Sequence, residues 1–284
     1  MMCKKTSAVI CTLILLPMAF AAPTAASAQQ QSQFQPSLGQ PGKDVMWVPT
    51  PKELIEGLFD LAKVNASDYV IDLGSGDGPW VIAAAKRGAR ALGVEFNPDM
   101  VALSRSNAQK EGVADKATFV QGDIFEADFS QATVITMYLL PDLNMKLRPK
   151  ILEMKPGTRV LSHAFTMEDW EADQTISVGS RTGYMWIVPA KVAGTWTWQA
   201  GSAPAELTLS QNFQKIEGSL RINGRDMPLK NAKLNGAKIT FAVGDTVTTT
   251  QMFSGTVSGN TITGTVGSGA ASATKWNAAR RAAK

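Results

Sequence analysis

The chain contains 284 residues, of which 44% are hydrophobic and 18% are charged, and its net charge is +4. This composition is that of an ordinary globular protein with one large domain or two modest ones. The net charge is too small to indicate a nucleic-acid partner, and the sequence has no arginine-rich stripe.

The first 28 residues have the composition of a secretory signal peptide. Two lysines precede an apolar run from Ala8 to Ala22, and a small-residue cleavage site follows at Ala26-Ser27-Ala28. We expect cleavage after residue 28 and export to the periplasm or out of the cell. An uncleaved signal would instead anchor the chain in a membrane. Cleavage would remove Cys3 and Cys11, the only cysteines, so the mature chain is expected to have no disulfide.

A polar segment separates the signal from the first expected domain. Residues 29–45 are rich in Gln, Ser, Pro and Gly, which predicts a disordered leader. Order is expected from residue 46. Thr50 is predicted to cap a helix that begins at Pro51, because the residues that follow place apolar side chains at helical spacing.

A glycine-rich turn after a short apolar strand is the most informative element of the sequence. The run Tyr69–Ile71 leads into Asp72-Leu73-Gly74-Ser75-Gly76-Asp77-Gly78, and Pro79 opens the next helix. Glycines let the backbone approach a ligand closely, and the N-terminus of the helix points at that ligand. Asp72 and Asp77 would repel a pyrophosphate but suit a cationic group. The turn therefore favours S-adenosylmethionine over a dinucleotide.

Two more strands end close to an acidic residue. The strand Arg90–Glu95 ends about twenty residues beyond the turn, where an acid binds both hydroxyls of an adenosine ribose. The strand 117–121 is followed by Asp123 and Ile124. This arrangement resembles class I methyltransferases, in which an acid at this position meets the adenine amino group and the next apolar side chain packs on the ring. Three such strand ends predict an S-adenosylmethionine site.

Strands and helices alternate from Tyr69 to residue 162. This alternation predicts an α/β fold, a Rossmann-like doubly wound parallel sheet over residues 46–189, with residues 178–188 as closing antiparallel strands. Ligands of such sheets lie beyond the carboxyl ends of the strands. That rule gathers Asp72, Glu95, Asp123, Tyr138 and His163 around one crevice. His163, the only histidine, is expected to be a satisfied strand-end residue and not a base.

The hydrophobic period changes to two in residues 190–284. Leu207 and Leu209 alternate with polar residues, as do Ile216 and Leu220, and Asn223-Gly224 is a strong hairpin signal. The pattern predicts six to eight short strands that form an up-and-down sheet or small barrel-like domain. We expect this domain to dock a substrate or to cover the first domain.

Residues 46 to about 170 resemble one family of protein-lysine N-methyltransferases. The resemblance is carried by Val48-Pro49-Thr50-Pro51, the turn from Ile71 to Gly78, Gly93-Val94-Glu95-Phe96-Asn97 and Tyr138-Leu139-Leu140-Pro141. These segments are similar to enzymes that modify the ATP synthase c-subunit and the adenine nucleotide translocase. That group is itself similar to the non-SET histone-lysine methyltransferases. The sequence departs from the family at Pro79 and Trp80, where a basic and an aliphatic residue are common.

The resemblance implies a seven-strand class I fold with S-adenosylmethionine as methyl donor and a protein lysine as acceptor. It implies that Tyr138 is the catalytic residue nearest to the transferred methyl group, and no metal site is expected. The expected cofactor-binding residues are Pro49, Thr50, Asp72, Gly74, Ser75, Gly76, Asp77, Gly78, Glu95, Phe96, Asn97, Asp123 and Ile124.

Three functions fit the sequence. The first is an exported lysine methyltransferase, which needs no dedicated base if an apolar pocket favours the neutral amine. Its substrate could be membrane-associated, and the sequence sets no oligomeric state. The second is a small-molecule methyltransferase of the same fold. The third is an inactive exported binding protein whose β domain carries the function. The Asn/Asp-Pro-Pro-Tyr box of amide- and base-nitrogen methyltransferases is absent, and Met137–Pro141 stands in its place.

Overall fold

The computed structural model of the chain describes residue 2 and residues 34–244, 250–268 and 273–282. The predicted signal peptide, residues 1–28, lies outside this part apart from residue 2 and stays a prediction. Within the described ranges, no helix is both long enough and apolar enough to cross a membrane. From Phe34 onward the chain forms one compact unit.

A seven-stranded sheet with helices on both faces forms the first half of this unit. The helices are α1 Lys52–Leu61, α2 Pro79–Lys86, α3 Pro98–Lys110 and α4 Pro141–Leu152, and the strands are β1 Tyr69–Leu73, β2 Arg90–Glu95, β3 Ala117–Gln121, β4 Val134–Met137, β5 Arg159–His163, β6 Gln174–Val178 and β7 Arg181–Ile187. The strand order is β3-β2-β1-β4-β5-β7-β6. Strands β1 to β5 are parallel, and β7 runs antiparallel to both of its neighbours. The predicted doubly wound sheet is confirmed.

The central strand β1 supplies side chains to two separate hydrophobic layers. Val70 packs with α1, α2 and α3, whereas Ile71 and Leu73 pack with α4 on the opposite face. Because both faces are covered, apolar residues follow one another along the strand, and Asp72 is its one charged residue. This double burial fixes the end of β1, where the glycine-rich turn begins.

Helix α2 begins immediately behind that turn because of Gly78. Gly78 is the N-cap residue with φ of 92°, and Pro79 occupies the first helical position. A Cβ atom at Gly78 would lie 2.7 Å from the Phe119 ring and 3.0 Å from Ser104. Only glycine satisfies both the backbone angle and this close approach.

The predicted cap of α1 is wrong. The helix begins at Lys52 with Pro51 as its N-cap residue, and no side chain caps it. The hydroxyl of Thr50 binds His163 instead, because the chain before α1 turns into the crevice above the sheet.

The second half of the unit is a nine-stranded antiparallel sheet. Its strands are β8 Gly194–Ala200, β9 Ala203–Asn212, β10 Lys215–Ile222, β11 Arg225–Pro228, β12 Lys230–Asn235, β13 Lys238–Val243, β14 Gln251–Ser258, β15 Thr261–Gly267 and β16 Thr274–Arg280. The order is β11-β10-β9-β8-β16-β15-β14-β13-β12. Strands β8 and β16, the first and last of this sheet in sequence over the described residues, therefore pair with each other. The sheet is nearly closed, as predicted, but over the described residues it has nine strands where the sequence predicts six to eight.

Aromatic side chains fill the interior of the nine-stranded sheet. Phe241 and Phe253 stack with ring centroids 4.8 Å apart, and Trp276 meets Phe253 edge-on at 5.5 Å. Trp196 is fully buried and donates its indole N–H to the backbone oxygen of Val192. The period-two pattern of the sequence therefore reflects a packed core inside the sheet.

Several contacts join the two halves. The rings of Trp170 and Phe213 stack at 5.8 Å, and the Arg148 guanidinium lies 5.3 Å from the Phe213 centroid. The Gln214 amide donates to the backbone oxygen of Glu171 at 2.8 Å, and Lys215 Nζ lies 2.6 Å from the Glu171 carboxylate. The predicted domain boundary at residues 189 and 190 stays a prediction, with these contacts across it.

The predicted disordered leader, residues 29–45, is described from residue 34 onward, and this part contains backbone hydrogen bonds. Gly39 N donates to Trp47 O, Trp47 N donates to Gln40 O, and Gly42 N donates to Val45 O, at 2.8–3.0 Å. These bonds close a short hairpin over Gly39–Trp47, called the N-terminal hairpin below. Its order comes from contacts with the crevice that are distant in sequence.

Candidate active site

A pocket opens where β1, β2 and β4 end. The predicted site residues that line it are Pro49, Thr50, Asp72, Gly74, Ser75, Gly76, Asp77, Glu95, Phe96, Asn97, Asp123, Ile124 and Tyr138. Gly78 does not line it, because it lies behind the turn against Phe119 and Ser104. The parallel strands deliver these residues to one edge, since each strand ends at the same side of the sheet.

Asp72 is the most deeply buried acid of the pocket, with 2% of its surface exposed. Thr136 donates a hydrogen bond to its carboxylate at 2.7 Å. Burial raises the pKa of Asp72 to about 7, and the charges of Glu95 and Asp77 act in the same direction, while the Thr136 bond opposes them. A cation beside Asp72 would relieve this cost.

Two more acids lie close to Asp72. Burial also raises the pKa of Asp77, although the Trp47 indole donates a hydrogen bond to its side chain. Glu95 accepts hydrogen bonds from the backbone N–H groups of Gly76 and Asn97, both at 2.9 Å. One end of the pocket is therefore strongly acidic, and the backbone of the turn is tied to the end of β2.

Asp123 lies at the other end of the pocket and has a basic partner. Lys43 Nζ lies 2.6 Å from one carboxylate oxygen, and Phe125 N donates to the other at 2.9 Å. The bond from Lys43 lowers the pKa of Asp123. Lys43 also lies 5.2 Å from the centroid of the Phe96 ring, which is half exposed at the pocket mouth.

The N-terminal hairpin supplies lining residues that the sequence assigned to a leader. Residues Gln40 to Trp47 all line the pocket. The Trp47 indole covers Gly76 so closely that a Cβ atom there would lie 2.9 Å from its nitrogen. In the sequence, this segment shows only turn-forming Pro and Gly residues followed by the aromatic Trp47. Such a pattern is too common to predict that the segment lines a pocket.

Tyr138 lies beside a buried polar group. Its ring lies against the His163 imidazole with centroids 3.9 Å apart and planes tilted by 35°. His163 shares a hydrogen bond with Thr50, with 3.1 Å between Nδ1 and Oγ1, and the Trp80 indole donates to Thr50 Oγ1 at 3.3 Å. Trp80, which also lines the pocket, is a further residue that sequence reasoning did not assign to the site.

Comparison with known proteins identifies the type of site. Residues 72–174 match the family model described as the ANTKMT methyltransferase domain. A protein-lysine N-methyltransferase of Saccharolobus islandicus is 41% identical over 151 residues, which are 51% of this chain and 94% of the relative. The chain belongs to this methyltransferase family. The ATP synthase c-subunit lysine N-methyltransferase of Rattus norvegicus is 32% identical, over 51% of this methyltransferase and 67% of that protein.

A solved structure adds the cofactor class. An RNA methyltransferase from Salinibacter ruber, in complex with S-adenosyl-L-homocysteine, is 49% identical with a TM-score of 0.50. The match covers 51% of this chain and 96% of that one. S-adenosylmethionine is the cofactor of this class I methyltransferase.

The pocket of the methyltransferase fits that cofactor. Ser75 Oγ and Asp77 Oδ1 are buried and have no hydrogen-bond partner within the described ranges, so both can bind a polar ligand. The buried carboxylates of Asp72 and Asp77 suit an ammonium and a sulfonium group. The role of each residue toward one part of the cofactor stays a prediction.

Proposed function

We propose that the protein transfers a methyl group from S-adenosylmethionine to a lysine side chain of a protein substrate. The observation that carries the proposal is the pocket itself, in which buried acids and Tyr138 share one crevice. This crevice lies in the half of the chain that is 41% identical to a protein-lysine N-methyltransferase.

The acidic end of the pocket would hold the cofactor. Asp72 and Asp77 would face its cationic groups, and Glu95 and Asp123 would hold the nucleoside. When bound, S-adenosylmethionine supplies an electrophilic methyl group. The protein itself needs mainly to position the acceptor, because a well-placed nucleophile gains most of its rate from proximity and orientation.

The lysine acceptor must be neutral to react. A lysine amine has a pKa of about 10.4 in water, and removal from water favours its neutral form. Tyr138, Trp80 and Leu139 line the pocket and would exclude water from the amine. The proton can then leave to solvent before the acceptor is enclosed, so no dedicated base is required.

An RNA acceptor is the competing possibility, because the Salinibacter relative is described as an RNA methyltransferase. The segment Met137–Pro141 favours lysine, since it replaces the Asn/Asp-Pro-Pro-Tyr box of amide- and base-nitrogen methyltransferases. We further propose that the protein acts outside the cytoplasm, which rests on the signal-like composition of residues 1–28.

Methyl labelling tests the acceptor. Purified protein is incubated with S-adenosylmethionine labelled on its methyl group and with envelope, soluble-protein and RNA fractions. We expect label in protein, recovered as methyl-lysine after hydrolysis, and no transfer by the Asp72→Asn variant. Label that ribonuclease releases, or that extracts with lipids or small molecules, would refute a protein acceptor.

Cell fractionation tests the location. The full chain and a chain that lacks residues 2–28 are compared in spheroplasted cells. We expect only the full chain outside the inner membrane, in a form shortened by about 28 residues according to the signal-peptide pattern. Equal retention of both chains in the cytoplasm would refute export.

A further inference from the structure

His163 is a buried polar residue behind the pocket. It ends β5, has no exposed surface and does not line the pocket among the described residues. Its two neighbours Thr50 and Tyr138 do line the pocket. His163 therefore touches both sides of the place where the proposed acceptor would enter, without reaching the acceptor itself.

A chain of hydrogen bonds runs through Thr50. The Trp80 indole donates to Thr50 Oγ1, and the same oxygen lies 3.1 Å from His163 Nδ1. Trp80 itself is buried against the edge of the Phe59 ring. The network joins the segment before α1, the first turn of α2 and the end of β5, which holds Thr50 from two directions.

The imidazole also sets the position of Tyr138. The centroids of the two rings are 3.9 Å apart, and the Phe165 ring lies 6.1 Å from Tyr138. Aromatic rings in contact restrict each other's orientation. Of these two rings, His163 lies closer to Tyr138.

The electrostatic surroundings argue against His163 as a base. Burial, with the charge of Arg181, lowers the pKa of His163 to about 4. The titratable side chains identified around it are Arg181 and Tyr138, and neither is a carboxylate that would stabilise an imidazolium. A general base works best with a pKa near the operating pH. The ring is therefore uncharged at neutral pH, and its Nε2 has no partner within the described ranges.

We propose that His163 is a positioning residue for methyl transfer, which binds Thr50 through Nδ1 and holds the Tyr138 ring through its imidazole face. The inference rests on the proposed function. It adds a residue that touches neither acceptor nor cofactor and a network, Trp80–Thr50–His163, that includes the position where the chain departs from its family.

Nuclear magnetic resonance tests the network without any acceptor. His163 is the only histidine, so its imidazole gives a single set of signals in untagged protein. We expect these signals not to titrate between pH 8 and pH 5, and to shift when Tyr138→Leu removes the neighbouring ring. A midpoint near the ordinary histidine value of about 6.5 would refute the buried network.

Kinetics test the positioning role. We expect His163→Ala to lower kcat at least tenfold, while the Kd for S-adenosylmethionine and the KM for the acceptor change less than threefold. His163→Asn, which can still pair with Thr50, should recover part of the loss. Thr50→Val should add little to His163→Ala in the double variant, because both changes break the same bond.

A control beside the same strand separates positioning from stability. Thr158 precedes β5, is buried and donates its hydroxyl to Lys155 O, far from the pocket. Thr158→Val should lower the melting temperature without changing kcat. If His163→Ala behaves in the same way, the positioning role is refuted. A wild-type protein that methylates only RNA would refute the proposed acceptor, but the comparison of kcat values would still decide the role of His163.

Discussion

At the scale of single residues, the burial of Asp72 lowers the stability of the cofactor-free fold and provides a negative charge for a cationic ligand. Its pKa is raised from 3.8 to about 7 in the fold, so folding favours the protonated carboxyl. Its contribution to stability is full below pH 3.8 and is lost as the pH rises toward 7. Above pH 7 the cofactor-free fold carries a buried charge, which the Thr136 hydrogen bond offsets in part and a cationic ligand would offset further.

Replacing Asp72 by Asn should therefore stabilise the cofactor-free protein and weaken cofactor binding. At pH 8 we expect the free energy of unfolding to rise by roughly 1–4 kcal/mol, because a buried charge is removed. The gain should shrink at pH 5. The Kd for S-adenosylmethionine should rise at least tenfold, since a charge-assisted contact contributes about 1.5–3 kcal/mol.

Chemical unfolding at both pH values and calorimetry with S-adenosylmethionine measure these changes. Asp115→Asn, an exposed acid away from the pocket, is the matched control and should change neither quantity. A less stable Asp72→Asn protein at pH 8, or unchanged cofactor affinity, would contradict the account of this residue.

At the scale of elements, the start of α2 depends on one glycine. Gly78→Ala would combine a left-handed backbone angle with a contact of 2.7 Å to Phe119. We expect a loss of about 2–4 kcal/mol in the free energy of unfolding. Gly112 has φ of 68°, and a Cβ atom added there would have nothing within 4 Å, so Gly112→Ala isolates the cost of the angle, about 1 kcal/mol. Equal losses in urea titrations of the two variants would rule out the close approach as a cause.

The N-terminal hairpin acts as a cover of the pocket. Trp47→Ala should raise the Kd for S-adenosylmethionine at least fivefold, because the indole packs on Gly76 and donates to Asp77. Leu38→Ala, directly before the hairpin and 75% exposed, should leave the Kd unchanged. Calorimetric titration compares the two variants, and a similar Kd for both would show that the hairpin is not part of the site.

The sequence predicts some elements well for local reasons. The alternation of strands and helices predicts a helix after β2, and α3 occupies Pro98–Lys110, since Pro98 lies in its first turn and the Asn97 side chain accepts hydrogen bonds from Asp99 N and Met100 N. The surroundings of Thr50 and Lys43 are not predicted, because their partners are far away in sequence. His163 and Asp123 lie 113 and 80 residues downstream, respectively. Patterns in neighbouring residues cannot predict a partner so far away in sequence.

At the scale of the whole molecule, the two halves share an aromatic contact. Trp170 is fully buried, and Phe213 of the second half stacks on it. A fragment that ends at Pro189 should keep its seven-stranded sheet, because the two layers of its core lie within residues 34–189. Its melting temperature should fall, since Trp170 loses its cover.

Phe213→Ala in the full chain should also lower the melting temperature, because it removes the same cover. We expect the free energy of unfolding to fall by about 1–3 kcal/mol. Phe165→Ala is the comparison, because Phe165 lies in the first half and makes its ring contact with Tyr138. This variant should not reproduce the loss of the contact between Phe213 and Trp170. Near-ultraviolet circular dichroism follows the loss of fixed packing around the tryptophans during melting. A molten fragment would show that the predicted boundary cuts through one core.

The pairing of β8 with β16 has a consequence for biosynthesis. β16 follows the other eight described strands of this sheet in sequence, yet it lies in the middle of the sheet, between β8 and β15. Until it arrives, two neighbouring strands present unpaired backbone edges, which readily pair with other chains. Closure of this sheet therefore requires β16, and a chain that ends before Thr274 would be prone to aggregation.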